Sequence, residues 1–79
     1  EAAAPKSAKS RLQEWSQRHR GVRPIYELVS SHGPAHAQQF TVAVIVGTDR
    51  LATGSGSSRQ RAEEHAAQAA LEHVAEVGA

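Results

Sequence analysis

The chain lacks cysteine and methionine and has one tryptophan, one tyrosine and one phenylalanine among its 79 residues. Without cysteine there is neither a disulfide framework nor a thiolate zinc site. No apolar run approaches the roughly 18–20 residues of a membrane-crossing helix, and there is no charged-then-apolar secretory leader. A cytoplasmic location, with no membrane partner, is the simplest expectation. With no methionine to initiate it, the chain is expected to be a processed product or a piece of something longer. Residues 1–6, opening "EAAAP", are expected to be a linker remnant, and residues 7–76 a single small domain with one modest core.

Net charge is only +1, but it is unevenly spread. Lys6, Lys9, Arg11, Arg18, Arg20 and Arg23 face only Glu1 and Glu14 within residues 1–23, a net of +4. Residues 24–79 carry three arginines against six acids, a net of −3. A basic end on a nearly neutral chain suits a polyanion; a solvated helix face explains the same pattern.

The spacing of Ala8, Leu12 and Trp15 predicts a helix over 7–19, capped by Ser7 and stopped at Gly21. "PIYELVS" from Pro24 reads as extended, with Tyr26 and Leu28 on one face, and "SHGPAH" reads as a loop. Phe40, Val42, Val44 and Val46 alternate with Thr41, Ala43 and Ile45, the period-two pattern of a strand packed on one side. Gly47–Arg50 is expected to be a hairpin turn and "LATGS" a short third strand. Ser57 or Ser58 should cap the last helix, Ser57-x-x-Gln60 fitting a capping box. Ala62, Ala66, Ala69, Ala70 and Val74, with Leu71 alongside, form its apolar stripe, and Gly78 is its expected stop. The fold class is α+β in the order α-β-β-β-α: a three-stranded antiparallel sheet with both helices on its one uniformly apolar face.

Residues for catalysis are sparse. Glu14, Glu27, Asp49, Glu63, Glu64, Glu72 and Glu76 show no metal or acid–base spacing, and Glu63 and Glu64 are adjacent on a helix and point different ways. His32 and His36 are four apart, but in a loop; without an H-E-x-x-H pattern no metal site is expected. Gly54-Ser55-Gly56 lacks the rest of either nucleotide-binding fingerprint. No cofactor and no catalytic residue are expected in this chain.

Two features point instead to binding. Arg59 and Arg61 stand in the first turn of a helix, where the helix dipole disfavours cations. Free amides there bind anions, and guanidinium forks match phosphate, so a bound phosphate would explain the placement; tolerated surface arginines would also. Lys9, Gln13 and Gln17 form a polar stripe beside the Leu12/Trp15 stripe, and glutamines can both donate to and accept from hydroxyls and base edges.

Together "SRLQEW", "PIYEL", "GPAHAQQFTVAVIV" and "GSGSSRQRAEEHAAQAAL" resemble the double-stranded-RNA-binding domain over about residues 7–75, most nearly that of bacterial ribonuclease III. The resemblance implies binding of duplex RNA by shape, through two minor grooves and the phosphates between them. Ser10, Gln13, Glu14 and Gln17, with Lys9 beside them, match the helix that enters one minor groove. Gly33, Pro34, Ala35 and His36 match the loop that enters the next. Arg59, Gln60 and Arg61 match the basic start of the second helix, which meets phosphates across the major groove. The common family pattern has lysines where Arg59, Gln60 and Glu63 stand, so Gln60 and Glu63 depart from it. The physics agrees: the major groove of A-form RNA is too deep and narrow to read, whereas its minor groove displays 2′-hydroxyls. The resemblance further implies a homodimeric endoribonuclease as parent, with magnesium held in a nuclease domain outside this chain, and a monomeric isolated domain. A non-catalytic adaptor or regulator is the alternative parent.

Overall fold

The computed structural model describes residues 6–76. The elements run α1 (Ala8–Arg20), β1 (Ile25–His32), a single 3₁₀ turn (Ala35–Ala37), β2 (Gln39–Val46), β3 (Asp49–Gly56) and α2 (Arg59–Glu76). The expected order is observed, with the strands antiparallel in the order β1-β2-β3. No helix among the described residues is long and apolar enough to cross a membrane.

Helix α1 starts where Ser7 Oγ accepts from the Ser10 amide at 3.1 Å. It stops at Gly21, whose φ of 71° lets its amide reach the Gln17 carbonyl at 3.2 Å. That left-handed conformation costs glycine little and other residues more. The buried Ser16 hydroxyl donates to the Val22 carbonyl and holds the turn into β1.

Two expected boundaries move. Strand β1 continues through Ser31 and His32, which sequence reading placed in the loop, because both pair with β2, opposite Phe40 and Gln39. Asp49 and Arg50 likewise belong to β3, leaving Gly47 and Thr48 as the turn. Register shifts between Leu28 and Ser30 and between Val44 and Ile45 accompany these longer strands. The second leaves Leu51 outside the ladder, yet Leu51 and Ala52 both pack on the core, as a bulge permits.

The core is built from small side chains. Ala8 and Leu12 of α1, Val44 of β2, and Ala66, Ala67 and Ala70 of α2 form its central cluster; Trp15, Tyr26, Leu51, Ala52 and Leu71 pack around it. Within the alanine stripe, Ala67 is fully buried and Ala69 only half-buried, so the helix is rotated slightly from its expected phase. On β2, Ala43 is as buried as Val42 and Val44 although it points to the opposite face. The alanines meet glycines beneath them: a Cβ at Gly54 would lie 2.1 Å from the Ala66 amide nitrogen, and one at Gly56 would lie 2.8 Å from that of Ala62. Helix α2 thus rests directly on the β3 backbone.

Candidate nucleic-acid interface

The sheet register gathers the candidate residues. His32 pairs with Gln39 and Phe40 with Gly56, so the β1–β2 loop and the entry to α2 lie at the same end of the sheet. Glu64 draws the start of α1 to the same region: its carboxylate accepts from the Ala8 amide at 2.6 Å and the Lys9 amide at 3.3 Å. An acid at a helix start satisfies free amides and complements the dipole; here it comes from another helix. Farther along, Arg11 Nη2 donates to Gln68 Oε1 at 2.9 Å.

On α1, Ser10, Gln13, Glu14 and Gln17 line one surface groove, and Arg18 lines it with them. Arg18, counted from the sequence only among the basic residues of 1–23, belongs to the groove; its spacing of four from Glu14 and eight from Ser10 is the signal. Glu14 is paired with the Lys6 ammonium. The hydrogen bond and charge of Lys6 hold the Glu14 carboxyl below its ordinary 4.5. Lys9 does not stand in this groove. Its ammonium reaches across to Glu63 Oε1 at 2.5 Å and lies 5.0 Å from the centre of the Tyr26 ring. Lys9 sits on the flank of the stripe nearer Leu12, and the carboxylate on α2 draws it inward.

The loop is a compact turn. Gly33 has a φ of 93°, and a Cβ there would lie 2.7 Å from the Ala37 carbonyl oxygen. Pro34 precedes the 3₁₀ turn, closed by the Ala37 amide on the Pro34 carbonyl at 2.9 Å. Gly33, Pro34, Ala35 and His36 are all exposed.

The start of α2 corrects one expectation. The cap is Ser58, whose Oγ accepts from the Arg61 amide at 3.1 Å. Position N3 is therefore Arg61, and the Ser57–Gln60 capping box is not formed, because a box needs a side chain at N3 that can reach back to the cap. Gln60 is exposed, and Arg61 Nη1 donates to Ser57 Oγ at 3.4 Å. Arg59 is engaged differently. Its Nε donates to Glu63 Oε2 at 3.0 Å and its Nη2 to the Tyr26 carbonyl at 3.2 Å. The four-residue spacing of Arg59 and Glu63 is the signal for this engagement in the sequence.

Glu63 thus accepts from two cations on two helices. Burial pushes its carboxyl up, but the bonds and charges of Lys9 and Arg59 outweigh burial and hold it below 4.5. Burial, with the nearby Glu63 and Glu64 charges, pushes the Tyr26 hydroxyl up to about 12, so it is neutral at physiological pH.

This geometry defines a class: a small α+β module presenting a polar helix stripe, a compact exposed loop and a basic helix start, with no group of three metal-ligating side chains among its described residues. Such an arrangement suits docking on a charged, grooved polymer. The particular family follows from comparison. The chain belongs to the family described as the double-stranded RNA binding motif, whose model matches residues 8–74. It is 45% identical over 74 residues to Ribonuclease 3 of Zymomonas mobilis, covering 94% of this chain and 30% of that protein. It is 49% identical over 71 residues to Ribonuclease 3 of Delftia acidovorans, covering 89% and 31%. The chain therefore spans less than a third of the length of these relatives. Among solved structures, the first dsRBD of protein HYL1 superposes with a TM-score of 0.71 at 38% identity, covering 87% of this chain and 97% of that one. Dicer from Pichia stipitis superposes at 0.67 with 28% identity, covering 91% of this chain and 33% of that one.

Proposed function

We propose that this chain binds double-stranded RNA by shape, as the RNA-binding domain of a ribonuclease III-type endoribonuclease. The observation that carries this reading is the gathering of the α1 stripe, the β1–β2 loop and the α2 start by one sheet register and one interhelical cap. In the proposed complex Ser10, Gln13, Glu14 and Gln17, joined by Arg18, address 2′-hydroxyls and edges of one minor groove. Gly33, Pro34, Ala35 and His36 enter the next minor groove. Arg59, Gln60 and Arg61 face the phosphates between them, with Arg61 the freer cation and Arg59 and Lys9 already paired to Glu63. The two minor-groove probes must be rigid and fixed in separation, because A-form RNA offers its 2′-hydroxyls there and denies side chains its major groove.

The relatives' name supports the endonuclease parent. On this reading the domain is residues 7–76, joined through residues 1–6 to the rest of a cytoplasmic, homodimeric enzyme. On the same reading, magnesium belongs to a nuclease portion outside this chain. The test is a competition titration of the chain with matched RNA and DNA duplexes of about 16 base pairs, the span typical of such domains. RNA should bind much more tightly, and equal affinity would overturn the reading.

A further inference from the structure

Glu63 stands between two cations, Arg59 of the proposed phosphate-facing helix start and Lys9 of α1. Its side chain is 16% exposed, and its carboxylate bonds Lys9 of α1 on one side and Arg59 of its own helix on the other. Arg59 is further tied by its bond to the Tyr26 carbonyl, and Lys9 by its position over the Tyr26 ring. This arrangement has two consequences of opposite sign. One is electrostatic: the carboxylate offsets one of the two positive charges, so a phosphate approaching Arg59 or Lys9 must compete with a partner already bonded to both. The other is geometric: the same bonds hold both side chains in one arrangement, which lowers the ordering that a ligand must impose.

A ligand that touches only phosphates suffers the competition and gains little from the fixed geometry, because its contacts are mobile and interchangeable. A duplex whose minor grooves also engage the α1 stripe and the β1–β2 loop arrives in one register, and the fixed geometry then favours it. We propose that Glu63 is a specificity-determining residue that penalises phosphate-only binding and thereby widens the preference for duplex RNA over duplex DNA and other polyanions. The proposal rests on the RNA-binding reading above.

The test uses the full chain and its Glu63→Gln, Glu63→Asp and Glu72→Gln variants. Each is titrated with matched 16-base-pair RNA and DNA duplexes at several salt concentrations, with thermal unfolding as a check of folding. Glu63→Gln should tighten DNA binding several-fold at low salt and steepen its salt dependence by about one unit, as one more cation becomes free to displace counterions. RNA affinity should change less, so the RNA/DNA ratio should fall at least about threefold. Glu63→Asp keeps the charge but shortens the bridge, so the ratio should fall with the DNA salt slope unchanged; it decides the matter if Glu63→Gln does not fold. Glu72→Gln makes the same change of net charge on the exposed part of α2 and should leave the ratio alone. An unchanged ratio in the folded Glu63 variants, or an equal fall with Glu72→Gln, overturns the proposal while leaving RNA binding intact. A parent chain with no preference for RNA overturns both.

Discussion

At the scale of single residues, charge and hydrogen-bonding capacity separate two kinds of contact on the proposed binding face. Arg61 is exposed and, among the described residues, paired with no carboxylate, whereas Arg59 shares Glu63 with Lys9. Arg61→Ala should therefore weaken binding similarly on all duplex sequences and lower the slope of log affinity against log salt by about one unit. Gln13→Ala removes no charge, so RNA affinity should fall with that slope unchanged. Binding isotherms over a range of salt would distinguish them, and the same slope for both variants would sink the assignment. The helix dipole by itself predicts that the first-turn arginines can be removed without loss of stability. The pair with Glu63 changes that expectation: removing Arg59 leaves a largely buried carboxylate with Lys9 alone, and such a loss is destabilising. Glu63 also sets a pH dependence. Its folded-state pKa is depressed below 4.5, so its stabilising contribution is fully present above that value. It is lost as pH falls from 4.5 through the lower folded value.

At the scale of elements, the decisive contact is helix α2 on strand β3. Alanines above and glycines below bring two backbones together, and neither side has a flexible side chain to give way. Gly54→Ala would set a methyl 2.1 Å from the Ala66 nitrogen, so α2 must lift from the sheet. The expected loss is about 1–3 kcal/mol, the usual range for overpacking a core, read by urea or thermal unfolding. Displacing α2 also moves Arg61 relative to the β1–β2 loop, so RNA affinity should fall in the fraction that remains folded. A variant as stable as the parent would mean that the close approach matters less than the geometry implies.

At the scale of the whole molecule, the sheet is a spacer. It fixes the β1–β2 loop and, through α2, the start of α1 relative to each other. The isolated chain should bind duplex RNA with magnesium present and leave it uncut, as followed on a denaturing gel. Cleavage that stays with the protein through successive purification steps would contradict the proposed division of labour.

The local pattern determined most of the fold. Alternation along Phe40–Val46, helical spacing from Ala62 to Val74, Ser7 before α1 and Gly21 after it are each readable from neighbours a few residues apart. The α1 stripe and the Gly33–His36 loop were readable for the same reason. Tertiary structure alone decided what depends on partners distant along the chain. Nothing near Glu64 says that it caps α1 fifty-six residues away. Nothing near Lys9 says that its ammonium belongs to Glu63 rather than to the stripe of Gln13 and Gln17. Strand ends at Ser31–His32 and Asp49–Arg50 were set by pairing across the sheet, which propensity does not contain. The physical reason is range. Caps, turns and periodicity are fixed by backbone geometry within a turn or two, whereas ion pairs and strand ladders form only after packing has chosen which distant groups meet.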